Sequence, residues 1–234
     1  MFLIVEIYIV KDFLGFEQER LLEIETQTLL AKRKLTAGLL FADQRIIVSN
    51  CLTGCSLSAS HYSLSQKLHY AISLMTKIHQ LPIDDLHYVR QLEPEEVLNN
   101  LIEQVEHKQL VLTSAQQKLL SFVQIRILPH LSINQPVLCH GDFNFSNMII
   151  AENSQTNSDS YIIDFEAACL ADAEFELAML LAVNLLSHDS ITDVLALYNQ
   201  FSLNLFNISF SKVTRYLCFC FLINALWYLS ADNQ

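Results

Sequence analysis

Short apolar runs around a polar loop constrain the fold of this chain more than any other feature. Residues 136–139 and 147–151 are mostly apolar, and the loop between them carries Asp142 and ends at Asn147. A third apolar run, "YIIDF", follows a polar stretch and contains Asp164. Apolar runs of this length between polar turns predict strands, and the second and third runs predict a hairpin. Such a hairpin would bring the three polar side chains to one edge.

The first part of the chain predicts a small mixed lobe. Residues 2–10 are β-branched and apolar, which predicts a strand, and residues 17–34 have the apolar spacing of a helix. The segment "GLLFADQRIIVSNCLTG" predicts two short strands around a turn at 42–44, and a lobe boundary follows near Cys51 to Gly54.

The rest of the chain predicts a larger, mostly helical lobe. Ser63 and Gln66 form a candidate capping box before a helix that ends at Pro82. Further helices are expected near 94–107 and from Ser114 to about 131. Three more apolar helices are expected between about Asp172 and the end. The expected fold class is α+β, with one domain at 1–53 and a second at 54–234.

Composition excludes several functions. The formal net charge of -11, from 14 basic and 25 acidic residues, argues against nucleic-acid binding. Six cysteines without C-x-x-C pairs indicate free thiols in a reducing compartment. The start lacks the basic region of a signal peptide, and the apolar stretch 216–229 is short for a membrane span. We therefore expect a cytoplasmic protein without a membrane partner, and the oligomeric state stays open.

The polar residues of the hairpin suit a particular chemistry. Asn147 and Asp164 would offer two oxygen ligands, which a hard cation such as Mg²⁺ prefers. Asp142 would remain available to accept a proton from an attacking hydroxyl. Metal ligands beside such a carboxylate are the groups that phosphoryl transfer requires.

These motifs resemble a known family. "LCHGDFNFSNMII" with "YIIDFEAACLADAEFELAML" matches the kinase pattern H-x-D-x-x-x-x-N followed by D-F. The stretch resembles the aminoglycoside phosphotransferase and choline kinase superfamily, and is closest to its choline, ethanolamine and thiamine kinase branch. The resemblance is strong over residues 136–182. It implies a protein-kinase-like two-lobe fold with a truncated N-terminal lobe, ATP and Mg²⁺ as cofactors, and a small, cationic acceptor.

Residue roles follow from the resemblance position by position. It implies Asp142 as the catalytic base and Asn147 and Asp164 as the Mg²⁺ ligands. His140 would support the loop, and Glu166 would contact metal-bound water or substrate, with a solvated surface acid as the equal alternative.

The resemblance also implies a nucleotide site in the small lobe. Lys11 would bind phosphate and pair with Glu25 of the first helix, or with Glu23 in another register, although a surface lysine is an equal alternative. The hinge that meets adenine would consist of Ser49, Asn50, Cys51 and Leu52.

Four further residues have competing explanations. Asp172 and Glu176 could brace the catalytic loop, but helix-cap and first-turn dipole roles are favoured from the sequence. Trp227 and Tyr228 could form a cation-binding aromatic wall, but a buried apolar helix is the favoured explanation.

One expected element of such kinases is absent from the sequence. The four glycines are Gly15, Gly38, Gly54 and Gly141, so no phosphate-cradling glycine loop can be placed before Lys11. Two other hypotheses therefore stay open. One is a kinase-like binding or regulatory module that has lost catalysis, and the other is a metal hydrolase with His140, Asp142 and Asp164 as ligands.

Overall fold

A computed structural model of the chain describes residues 16–43, 46–151 and 160–231. The predicted strand at 2–10 and Lys11 lie outside these residues. Helix α1 runs over Phe16–Lys32 and is followed by an antiparallel hairpin of β1 (Leu39–Ala42) and β2 (Ile47–Ser49). The predictions of a helix and of two short strands in this region are confirmed.

A three-stranded antiparallel sheet carries the predicted central hairpin. Its strands are β3 (Gly54–Ser56), β5 (Met148–Ala151) and β6 (Ser160–Ile162), with β5 in the middle. Met148 pairs with Ile162, so the loop before β5 and the segment after β6 meet at the same end of the hairpin.

A second antiparallel pair joins β4 (Pro136–Cys139) to β7 (Cys169–Asp172). The apolar run at 136–139 predicts β4 at these bounds, whereas β7 was not predicted. The backbone of Leu170 also bonds to Arg90 and Leu92 on its other side, with N···O distances of 2.8 Å. The segment before the third helix is thereby held against the strand that follows the candidate site.

Helices make up most of the remaining chain. Their bounds are α2 Leu64–His79, α3 Pro94–His107, α4 Ser114–Phe122, α5 Ala173–Val183, α6 Ser190–Phe201 and α7 Phe210–Ala231. A π-helical turn, Val123–Ile127, and a 3₁₀ turn, Leu128–His130, continue α4. The capping box is present, because Ser63 accepts from the Gln66 N–H and the Gln66 side chain accepts from the Ser63 N–H.

Helix α5 lies at the centre of the core. Every residue from Ala173 to Ala182 is buried, and the helix packs against α7, β4 and β7. Helix α2 is amphipathic and places Leu68, Ile72 and Met75 in the same core. Burial of this large apolar surface is the main force that holds the helices beneath the candidate site.

Helix α7 is long and apolar enough to cross a membrane by length and composition alone. Its buried side chains, which include Tyr216, Phe219 and Leu226, pack in a core shared with α3 and α5. Trp227 and Tyr228 are more than half exposed, so the expectation that they are buried is wrong. They lie near the end of the helix, where Leu226 is buried in the core instead.

Candidate active site

The turn after β4 is built around Gly141. Its φ is +80°, and a Cβ at this position would lie 2.0 Å from the Ala167 carbonyl oxygen. A side chain would be strained by the left-handed backbone and would also collide with this carbonyl. Glycine therefore allows the segment after β6 to pack directly on the loop that carries Asp142.

His140 ties the loop to the residue before Asp164. Its Nε2 lies 2.9 Å from the Ile163 carbonyl oxygen, and its Nδ1 accepts from the Asp142 N–H at 3.2 Å. With Nδ1 as acceptor, Nε2 carries the proton and donates it to the carbonyl. The ring is buried and meets Phe143 and Phe165 edge-on. These contacts are those of a side chain that supports the loop.

Asp142 and Asn147 are joined directly. Nδ2 of Asn147 donates to Oδ2 of Asp142 at 2.9 Å and to the Asp142 carbonyl oxygen at 3.1 Å. Burial raises the pKa of Asp142, and the charges of Asp164 and Glu176 also raise it, whereas His140 and the Asn147 hydrogen bond lower it. The net pKa shift is upward, which suits a carboxylate that accepts a proton.

Asp164 follows directly on the hairpin. The Ile163 N–H donates to the Asn147 carbonyl oxygen at 2.9 Å, which extends the β5–β6 pairing and confirms the predicted hairpin. The predicted strand through Phe165 is too long, because β6 ends at Ile162. Asp164 has a φ of +71°, and this left-handed conformation turns the chain out of the strand.

The donor set at this edge fits a hard divalent cation. The nitrogen of the Asn147 amide is used by Asp142, so its oxygen is the atom left to act as a ligand. The Asp164 charge is close enough to raise the pKa of Asp142. Of the described residues that line the cavity beside Asp164, none is basic. An amide oxygen and the Asp164 carboxylate, beside a described lining without basic residues, suit Mg²⁺.

A cavity of about 200 Å³ opens beside Asp164. Its apolar wall includes Ile47, Ile149, Ile163 and Phe165. All four predicted hinge residues line it, namely Ser49, Asn50, Cys51 and Leu52. The structure therefore brings the predicted hinge and a predicted metal ligand to one cavity.

Gln27 of α1 braces this cavity and is missed by the sequence analysis. Its Nε2 donates to Ser49 Oγ at 2.7 Å and approaches the Ala37 carbonyl oxygen at 3.3 Å. Gln27 lies about three turns into α1, and no pattern in the sequence indicates that it is buried.

The two acids considered for α1 lie in different surroundings. Glu23 lines the cavity, whereas Glu25 is absent from the described lining. The Glu25 carboxylate accepts from the N–H groups of His87, Tyr88 and Val89 at 2.8, 2.8 and 3.3 Å. The Glu23 carboxylate also pairs with Arg20 of α1, so each acid has a partner among the described residues and the choice between them stays a prediction.

Glu176 braces the loop that carries Asp142. Its carboxylate accepts from the N–H groups of His140 and Gly141, the second at 3.1 Å, and the side chain is fully buried. The favoured first-turn dipole role is therefore wrong as the main explanation, and the bracing alternative is confirmed. Two backbone donors attract the carboxylate more strongly than an open helix end does.

Asp172 occupies the N-cap position of α5 but does not cap it through its side chain. The carboxylate accepts from the Asn134 and Gln135 N–H groups and from Lys212 Nζ, which lies 2.6 Å away. The predicted cap is wrong because this buried ion pair takes the carboxylate elsewhere. Asp172 thereby links the segment before β4 with helix α7.

Asn184 is a positioning residue that the sequence analysis misses. It follows α5, and its Oδ1 accepts from the Phe145 N–H at 2.9 Å while Nδ2 donates to the Phe143 carbonyl oxygen at 3.1 Å. The amide thus holds the backbone of the loop that carries Asp142 on both sides of Asn144. No pattern in the sequence connects residues so far apart.

A second cavity of about 580 Å³ lies on the helical side of the loop. Gly141, Ala167 and Cys169 line it, together with Phe175 and Met179 of α5. Arg90, Glu93 and Glu96 supply charge at the start of α3. Trp227 and Tyr228 are not part of its described lining. Glu166 is exposed two residues after Asp164, and its role stays a prediction.

The chain matches the sequence profile of the phosphotransferase enzyme family over residues 11–206. The chain belongs to this family. No curated protein matches it in sequence.

Solved structures of phosphotransferases share the fold. The choline kinase LicA from Streptococcus pneumoniae is 19% identical, with a TM-score of 0.71 over 96% of this chain and 77% of that one. The aminoglycoside phosphotransferase APH(3'')-Id from Streptomyces rimosus is 18% identical, with a TM-score of 0.61 over 88% and 82%. The aminoglycoside 2'-phosphotransferase-IIIa is 14% identical, with a TM-score of 0.66 over 92% and 76%. The expected α+β, kinase-like fold is confirmed.

Proposed function

We propose that the chain transfers the γ-phosphoryl group of ATP to a hydroxyl of a small, cationic molecule with the help of Mg²⁺. The observation that carries the proposal is the joint placement of Asp142, Asn147 and Asp164 at one end of the β5–β6 hairpin. This placement lies beside the hinge-lined cavity, where a nucleotide would extend its phosphates toward the two carboxylates. Family membership supports phosphoryl transfer as the reaction class.

Asp142 acts as the base in this proposal. The acceptor hydroxyl gives its proton to the Asp142 carboxylate while its oxygen attacks the γ-phosphorus and ADP leaves. Asn147 holds the carboxylate in position, and its amide oxygen and Asp164 are the ligands for Mg²⁺. The cation supplies neutralisation of phosphate charge when bound.

The hinge-lined cavity is the proposed adenine site. Its apolar wall suits a flat base, and the backbone of 49–52 can offer hydrogen bonds to the base edge. Two of the similar solved structures hold nucleotides, namely LicA in complex with AMP and the GDP complex of aminoglycoside 2'-phosphotransferase-IIIa. Lys11 is the proposed partner of the phosphates, and Glu23 is the proposed partner of Lys11, in the small lobe that we propose to span 1–53.

The second cavity is the proposed acceptor site. It adjoins Gly141, one residue from the proposed base, and it lies in the helical lobe proposed at 54–234. Glu93 and Glu96 on its rim favour a cationic acceptor, and the net charge of -11 acts in the same sense. Six free cysteines fit a cytoplasmic enzyme in a reducing environment.

A turnover screen tests this function. Release of ADP would be measured with Mg²⁺ and ATP against choline, ethanolamine, thiamine and aminoglycoside acceptors. We expect turnover with one of these classes, and its loss in Asp142→Ala and Asp164→Ala. Asp193→Asn, at an exposed acid on α6, is the matched control and should leave the rate unchanged.

Nucleotide binding separates the remaining hypotheses. Weak or no thermal stabilisation by Mg·ATP, with the same melting temperature in Asp142→Ala, would favour the kinase-like binding module instead. Absence of both stabilisation and turnover in a folded chain would refute the proposed function.

A further inference from the structure

A buried histidine and tyrosine lie beneath the brace of the catalytic loop. His79 at the end of α2 and Tyr198 on α6 are 3% and 0% exposed. Nδ1 of His79 lies 2.7 Å from the Tyr198 hydroxyl, and Nε2 lies 3.9 Å from Oε2 of Glu176. The chain of contacts therefore runs from α6 through α2 to the carboxylate that holds the loop.

The two neighbours of His79 determine which of its ring nitrogens carries the proton. If Nδ1 carried the proton, the lone pair of Nε2 would face the Glu176 carboxylate in a buried site, which is unfavourable. The reverse arrangement lets the Tyr198 hydroxyl donate to Nδ1 and points the Nε2 proton at Glu176. Burial raises the pKa of Tyr198, and the charges of Cys139, Glu174 and Glu176 add to it, so the hydroxyl keeps its proton.

Nε2 of His79 has no hydrogen-bond partner among the described residues. Such a buried donor is costly, and the Glu176 carboxylate is an acceptor within a small movement of it. Glu176 in turn holds the N–H groups of His140 and Gly141, so the direction of its carboxylate sets where the loop places Asp142.

We propose that His79 and Tyr198 are positioning residues that orient Glu176, and through it the catalytic loop, for phosphoryl transfer. This inference rests on the proposed function. Neither side chain lines the two cavities beside the loop, so both would act only through Glu176. A shift of the base by a fraction of an ångström is enough to change the rate.

A metal ion is the competing use of this cluster. His79, Cys139 and Glu176 offer three ligand atoms within 4.8 Å of one another. Both Glu176 oxygens already accept backbone N–H groups, and burial raises the pKa of the Cys139 thiol, with Glu176 adding to it. Metal binding requires the thiolate, so we expect Cys139 to stay protonated and the cluster to bind no metal.

The decisive variants are Tyr198→Phe, His79→Leu and His79→Gln. We expect kcat to fall about threefold in the first and at least about tenfold in the second, with KM for ATP unchanged. His79→Gln keeps a polar side chain near Glu176 and should recover part of the loss. Amide hydrogen exchange at His140 and Gly141 should become faster in His79→Leu by about tenfold or more.

Tyr216→Phe is the matched control. The Tyr216 hydroxyl is also buried but has no hydrogen-bond partner in residues 16–43, 46–151 and 160–231, and its ring packs on Phe175. The same atom is removed, yet neither kcat nor the exchange of the two loop amides should change.

The outcomes are distinguishable from failure of the proposed function. If the wild-type chain turns over no acceptor, that function fails, while exchange at the two amides still decides the inference. Unchanged exchange and unchanged kcat in His79→Leu, with only a lower Tm, would overturn it. One zinc ion per chain by elemental analysis, lost in His79→Leu, would overturn it in favour of a metal site.

Discussion

The Asn147 side chain donates to the Asp142 carboxylate at 2.9 Å, which joins the proposed metal ligand to the proposed base. This hydrogen bond lowers the pKa of Asp142 against the upward effect of burial. A change at Asn147 is therefore expected to alter both the pH dependence and the metal dependence of the reaction.

Asn147→Ala should move the acid limb of the kcat profile to higher pH. Without the donor, the Asp142 pKa rises further, so a higher pH is needed to ionise the base. The variant should also need more Mg²⁺ for half-maximal rate. Profiles of rate against pH and against Mg²⁺ measure both effects, with Asp193→Asn, at an exposed acid on α6, as the control. An acid limb that stays in place would contradict the proposed pairing.

Asp142→Asn separates catalysis from stability. Removing the base should lower kcat by about a hundredfold or more. Because folding raises the pKa of Asp142, its stabilising effect is present at low pH and is lost as pH rises through the folded-state pKa. The neutral amide should therefore raise Tm relative to wild type near neutral pH, and this gain should vanish in acid. Thermal melts between pH 3 and pH 8 test the sign.

Gly141→Ala should destabilise the fold strongly. The new Cβ would meet the Ala167 carbonyl oxygen at 2.0 Å and would force a side chain onto a φ of +80°. We expect a loss of about 2–4 kcal/mol in unfolding free energy. Gly38→Ala is the control, because its Cβ would meet only the flexible Asn50 side chain at 3.1 Å. Equal losses in denaturant titrations of the two variants would refute the steric argument.

Glu23→Gln should change nucleotide affinity, whereas Glu25→Gln should change stability. Glu23 lines the hinge cavity, so its charge should matter for nucleotide affinity, and KM for ATP should rise about tenfold. Glu25 is bound to three backbone N–H groups of the 87–89 segment, so weakening it should cost about 1–3 kcal/mol of stability with KM little changed. A raised KM in Glu25→Gln alone would favour Glu25 over Glu23 as the partner of Lys11.

Local chemistry was enough to predict much of the fold. Helix α3 and strand β4 lie at the predicted bounds, and the Ser63 capping box is present. Strand β7 was missed because "CLAD" shows no alternation of apolar and polar residues. It is a strand because its backbone forms hydrogen bonds with β4 on one side and with residues 90–92 on the other.

Acidic residues near helix starts were the least predictable part of the site. Asp172 and Glu176 both lie where acidic residues stabilise the start of a helix, and the sequence alone suggests only that helix as their partner. In the folded chain Asp172 is drawn to Lys212 and Glu176 to the loop backbone. Charge at a helix terminus is worth little beside a buried partner, so distant contacts decided both roles.

The sequence by itself determined the spacing of Asp142, Asn147 and Asp164, because a hairpin with this register must bring them to one end. Only the tertiary structure decided how that end is supported: Glu176 and Asn184 from α5, Gln27 from α1, and His79 with Tyr198 beneath them. Hydrogen bonds between neighbours in the chain follow local rules, whereas these supports join residues from 10 to 119 positions apart. Their partners exist only once the helices have packed.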